Sequence, residues 1–150
     1  MKKYGLTVAQ YQAAQEYLRS DETILFDEGF VHYASSLFCP PRPKHSLSEE
    51  DIQTYLNVVP LPDYCIFTRS PVEICKRRMG DREKGRPGQY THLSEDEFDR
   101  YLKRAERCRR LLKSVLEDSS VDVVEFDTDT TLEETASKAR KFVSLKTDRV

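Results

Sequence analysis

Apolar residues recur along this chain at two spacings that take turns. Over residues 7–19, Val8, Tyr11, Ala14, Tyr17 and Leu18 return at helical intervals behind a Thr7–Gln10 pair spaced like a capping box, which predicts an amphipathic helix. Thr23–Asp27 is instead a short apolar run closed by charged neighbours, the pattern of a buried strand. Residues 31–38, "VHYASSLF", suit a helix until the prolines of "CPPRPKH" end regular structure. A further helix is expected over Ser48–Val58, with Ser46 or Ser48 as its cap, followed by a second buried strand at Tyr64–Thr68. Ser70, Pro71 and Glu73 together look like a helix start, and that helix is expected to reach about Met79. Residues 80–92 hold three glycines and a proline and predict a mobile loop. Ser94 and Glu97 then form a capping box before the longest helix, whose stripe runs from Phe98, Tyr101, Leu102, Ala105 and Cys108 to Leu111, Leu112, Val115 and Leu116. "VDVVEFDTD" (121–129) reads as a third strand, and Thr130 with Glu133 as the start of a last helix carrying Leu132, Ala136, Ala139, Phe142 and Val143.

Short apolar strands alternating with helices predict an α/β domain built on a parallel sheet covered on both faces. At 150 residues a single domain, 1–150, is expected. Ligands of such sheets sit beyond the carboxyl ends of the strands, where Asp27, Glu28, Arg69 and Asp127 would fall.

Composition changes this picture only locally. A net charge of −2 gives no pull toward nucleic acid or membrane, so neither is expected as a partner. The sign is uneven, however: residues 69–110 hold thirteen Lys/Arg against eight Asp/Glu, leaving that stretch at +5 and the remainder at −7. The four cysteines are scattered without a C-x-x-C pair, and no histidine lies near one, so free thiols in a reducing cytoplasm are expected instead of zinc. "MKKYGLTVAQYQ" has basic residues without an apolar run after them, and predicts neither a signal peptide nor a membrane anchor.

Two segments carry candidate chemistry. At the end of the first expected strand, Asp27 is placed to ligate Mg²⁺ and Glu28 to orient or deprotonate a nucleophile, while Gly29 would permit a sharp turn; a plain turn explains the same tripeptide. The second segment, "ICKRRMGDREKGRPGQY", contributes Arg77, Arg78, Arg82 and Arg86, whose planar donors suit phosphoryl oxygens. Asp81 and Glu83 interleave with them, as they would in a solvated charge run. Gly80 and Gly85 have the glycine spacing of G-x-x-x-x-G-K-[ST], but Arg86-Pro87 follows where Lys and a hydroxyl belong, and the stretch follows a helix instead of a strand. Asp127 and Thr128 either meet a ligand at a strand end or simply turn the chain into the last helix. His32, His45 and His92 have no catalytic partner at a telling spacing.

Taken together, "ILFDEGF", "LPDYCIFTRSPVEICKRRMGDREKGR" and "VDVVEFDTD" resemble the second acidic strand, the strand-helix-lid and the final strand of P-loop nucleoside and nucleotide kinases, particularly the thymidylate-kinase-like group. The resemblance covers about residues 10–145. It implies ATP and Mg²⁺ as cofactors and a nucleotide or other small hydroxyl-bearing acceptor as substrate. Asp27 would hold the metal and Glu28 would act near the acceptor. Arg78, Arg82 and Arg86 would be catalytic lid arginines, with Arg77, Asp127 and Thr128 at the nucleotide. It implies a three-layer P-loop-like sheet, here of about three strands, because no Walker A sequence occurs in the chain. The phosphate loop and its strand are expected from an upstream segment or a second chain, and this polypeptide is expected to be inactive alone. Two other readings stand beside this one: a non-catalytic binding module on the same scaffold, and a self-contained phosphotransfer or phosphohydrolase enzyme without a P-loop.

Overall fold

A computed structural model describes residues 2–17, 19, 22, 24–26, 29–41, 47–82 and 85–147. The elements are α1 (Lys2–Tyr17), α2 (Phe30–Phe38), α3 (Glu49–Leu56), β1 (Tyr64–Arg69), α4 (Val72–Gly80), α5 (Glu95–Glu117), β2 (Asp122–Asp127) and α6 (Leu132–Thr147), with a 3₁₀ turn at Gly88–Tyr90. The class is α/β, as the alternation of patterns predicts. No helix among the described residues is long and apolar enough to cross a membrane.

The two strands pair in parallel, with Tyr64 opposite Asp122 and Arg69 opposite Asp127, so their carboxyl ends finish level. Side chains alternate between two layers of helix. Cys65, Phe67 and Val123 face a core completed by α2, α3 and α5, including Ala34, Ile52, Leu56, Cys108, Leu112 and Leu116. On the other face, Tyr64 and Phe126 meet the ring of Phe142 on α6, with centroids 6.2 and 6.5 Å away. The α5 stripe supplies the buried Phe98, Leu102, Cys108, Leu112 and Leu116, each large aliphatic or aromatic side chain contributing about 1.5–3 kcal/mol of burial.

Five local expectations are corrected. The first expected strand, Thr23–Asp27, is not formed over its described residues: Ile24, Leu25 and Phe26 are irregular, Leu25 is 83% exposed, and Thr23 and Asp27 lie outside the described residues. A strand needs a ladder for its N–H and C=O groups, and among the described residues β1 and β2 pair only with each other. Helix α1 starts well before Thr7, which is buried inside the helix and is not its cap; the preceding residues contain no breaker stronger than one glycine. Its expected apolar face is not buried as a stripe, because Val8 and Tyr17 are exposed, while Tyr11 meets the rings of Phe26 and Phe30 with centroids 6.0 and 5.9 Å away. Ser70 does not cap α4, whose first turn follows Pro71 without a side-chain cap. Helix α6 is capped one residue later than expected: Thr131 Oγ1 accepts from the Glu134 N–H at 3.2 Å, and Glu134 Oε2 accepts from the Thr131 N–H at 3.1 Å.

The expected capping box at Ser94/Glu97 is formed, and Ser48, one of the two expected caps, forms a capping box with Asp51. Within 80–92, Gly85 takes φ +63°, a left-handed conformation natural to glycine. The residues after it pack through Tyr90 and Leu93 onto Phe98, Leu102 and Tyr101 of α5.

Candidate functional site

Because β1 and β2 end at the same level, residues almost sixty positions apart meet just past them. The Thr128 N–H donates to the Arg69 carbonyl at 2.7 Å, and its hydroxyl donates to the same oxygen at 3.0 Å. Ser70 Oγ and Thr128 Oγ1 lie 2.7 Å apart. Arg78 reaches back along α4 to this point, as helical side chains tilt toward the N-terminus. Its Nη1 donates to Ser70 Oγ at 3.0 Å and to Thr128 Oγ1 at 3.4 Å, and its Nη2 donates to the Thr128 carbonyl. Beside them, Arg69 Nε stands 4.0 Å from the Asp127 carboxylate, in solvent.

Adjacent to this junction is a cleft of about 600 Å³ between α2, the end of β1 and α5. Thr68 and Ser70 form its strand-end side, Ser35 and Ser36 its α2 side, and Tyr101, Ala105 and Arg109 stand on one face of α5. Tyr101 Oη lies 2.6 Å from Tyr90 Oη, and burial, followed by this hydrogen bond, pushes its phenol above the ordinary range. Arg109 is ion-paired with Glu125 of β2. Arg104 donates to the Pro40 and Pro41 carbonyls at 3.0 and 2.9 Å, which fixes the α2 exit against α5; its buried Nε has no partner. Cys39 on the cleft wall is hydrogen-bonded with Cys108, which lowers the Cys39 thiol against the opposing effect of burial, while the Arg104 charge lowers it further; Cys108 is pushed up by the same contact and by burial. All four cysteines are free.

Of the residues singled out from sequence, Arg78, Asp127 and Thr128 are brought together. Arg77 is exposed on α4, and Arg82 is exposed beyond the helix end, so Arg78, Arg82 and Arg86 do not share a helical face. Arg86 is spent on packing: it donates to the Leu93 carbonyl at 3.3 Å, pairs with Glu95, and lies 4.3 Å over the Phe98 ring. Asp27 and Glu28 lie outside the described residues. Sequence reasoning missed Ser70, taken for a cap, and the cleft-facing Tyr101, Ala105 and Arg109. The signal available was Arg109 itself, a charge four residues after Ala105 on an otherwise apolar face.

The strand-end set consists of hydroxyls and a guanidinium, donors suited to phosphoryl oxygens and not to a cation. Its one carboxylate, Asp127, faces Arg69. Among the described residues no three His, Cys, Asp or Glu side chains gather as they would around a metal ion, so these residues by themselves do not fit Mg²⁺. Comparison with protein-family profiles, with characterised proteins and with solved structures finds no match to this chain.

Proposed function

We propose that this chain is the acceptor-side portion of an ATP-dependent phosphotransferase of the nucleoside and nucleotide kinase kind, completed by a phosphate-binding loop carried on another segment or chain. One juxtaposition supports this reading above all: the Arg78 guanidinium held on the hydroxyls of Ser70 and Thr128 at the carboxyl ends of parallel strands, beside a cleft of about 600 Å³. Open parallel sheets bind their ligands at this place. In this reading Asp127 and Thr128 border the nucleotide, and Arg78 turns its planar donors onto phosphoryl oxygens as negative charge spreads over them. Arg82, exposed beyond α4, is the second lid arginine, and Arg77, exposed on α4, belongs with Asp127 and Thr128 at the nucleotide, while Arg86 is held by Leu93, Glu95 and Phe98. Glu28 at the acceptor hydroxyl and Asp27 as metal ligand rest on the resemblance alone.

Isothermal titration of the purified chain with ATP, GTP and dTMP, with and without Mg²⁺, tests the reading. ATP is expected to bind with a Kd on the order of 1 mM, and Arg78→Ala to weaken it roughly fivefold, or about 1 kcal/mol for one exposed contact. No phosphoryl transfer above the protein-free rate is expected, because each missing oriented donor costs roughly 3–4 kcal/mol. If none of the three nucleotides binds a chain with an intact circular dichroism spectrum, the non-catalytic binding module replaces this proposal. Turnover by the chain alone would overturn the need for a separate loop.

A further inference from the structure

Two of the four free thiols meet at the cleft wall. Cys39, the residue that closes α2, lines the cleft, while Cys108 of α5 has no exposed surface. The Cys39 Sγ donates to the Arg104 carbonyl at 3.5 Å. In helix geometry that carbonyl also receives the N–H four residues on, so the Cys39 sulfur sits on the turn of α5 that carries Cys108. The two thiols are hydrogen-bonded to each other and belong to one core cluster. The other cysteines are placed differently. Cys75 also lines the cleft, but its thiol donates to the Ser70 carbonyl at 3.7 Å. Cys65 sits on β1, where burial pushes its thiol up to about 11.

We infer that Cys39 is a peroxide-reactive cysteine opening on this cleft, and that Cys108 resolves its oxidised form as an intramolecular disulfide. Thiolates, not thiols, attack peroxides. The contact with Cys108 lowers the Cys39 thiol against the opposing effect of burial, and the Arg104 charge lowers it further. Arg104 keeps its Nε buried without a partner beside this pair. A hydroperoxide no larger than a few atoms reaches the sulfur from the cleft. The Cys39 thiolate forms an S–O bond as the O–O bond breaks, and the departing hydroxide takes up a proton to leave as water, which gives a sulfenic acid. The Cys108 sulfur then attacks the Cys39 sulfur: an S–S bond forms, the S–O bond breaks, and the hydroxyl leaves as a second water with the Cys108 proton. Two thiols are thereby oxidised and one peroxide is reduced. The new bond ties the end of α2 to α5 along one wall of the cleft, and a thiol reductant restores the open form. This chemistry needs no nucleotide and stands apart from the phosphotransferase reading.

Exposing the purified full chain to hydrogen peroxide, then alkylating free thiols under denaturing conditions for intact-mass and peptide mass spectrometry, tests this. Wild type is expected to lose the mass of two hydrogens, with the Cys39 and Cys108 peptides linked, and to regain both thiols with dithiothreitol. Cys39 is expected to lose its thiol at least about tenfold faster than Cys65. Cys108→Ser removes the resolving sulfur and is expected to raise dimedone labelling of Cys39 at least about tenfold over wild type. Should that variant fail to fold, the wild-type linkage map decides alone. The inference is overturned if folded wild type keeps both thiols, or if linkage runs to Cys65 or Cys75 instead. It is equally overturned if Cys39 advances to a sulfinic acid while Cys108 stays reduced, or if folded Cys108→Ser shows no gain in labelling.

Discussion

Arg109 and Glu125 tie α5 to β2 with side chains only 18% and 21% exposed. Removing one partner leaves the other charge half-desolvated, which costs more than the pair contributes. Arg109→Ala is therefore expected to lower stability by about 2–3 kcal/mol, less than for a fully buried pair. The double replacement Arg109→Met with Glu125→Leu is expected to stay within about 1 kcal/mol of wild type. Urea unfolding midpoints check both; equal losses in the two would show that the pair itself, not the orphaned charge, carries the energy. Burial also pushes the Cys65 thiol from 9.0 up to about 11. As pH rises past 9 the unfolded chain ionises first, so this contribution is complete below that pH and is lost toward 11. Tyr101, raised by burial, acts in the same direction at higher pH. The thermal midpoint is expected to fall across this alkaline window, less steeply in Cys65→Ala; an unchanged slope in that variant would contradict the assignment. At this scale Asp127 and Thr128 were legible as polar groups at a strand end, and Arg78 as one arginine of a basic segment, its place at that strand end not. Ser70 was not, because a serine before a proline and a glutamate satisfies the rules of a cap. Its actual partner, Thr128, is fixed by tertiary pairing 58 residues away.

Between elements, the segment after α4 is held by Arg86 as well as by the packing of Tyr90 and Leu93. The Arg86 guanidinium joins the Leu93 carbonyl, the Glu95 carboxylate and the Phe98 ring, so three weak contacts converge on one side chain. Arg86→Ala is expected to speed amide exchange at Leu93, whose N–H donates to the Tyr90 carbonyl at 3.1 Å, by roughly tenfold while β1 is unaffected. Exchange rates read by NMR decide it; a uniform increase across β1 as well would mean global destabilisation. The elements themselves were largely legible, since capping chemistry is local: Ser94 with Glu97 marked the start of α5 correctly. Threonine pairs misled where the same spacing fitted twice. Thr130 and Thr131 each precede a glutamate by three residues, and only helix geometry selects the second. Thr7 likewise matched a cap while sitting inside a longer helix.

For the whole molecule, alternation of strand and helix was enough to give an α/β class with helices on both faces of a parallel sheet. What could not be read was the strand count, because pairing depends on a neighbour and not on the run of apolar residues in "TILF". Placement of the cleft also followed from topology: level strand ends create the junction, and α5 supplies the opposite wall from side chains that sequence alone assigns to the core.

Arg78 clasps both strand ends, so the same bonds that close the last rung of the ladder also shape the mouth of the cleft. Occupancy and sheet integrity are thereby coupled. A ligand that drew the guanidinium away would strip the bonds that Arg78 lends to the fastening between Arg69 and Thr128, whereas one that left it seated would spare that rung.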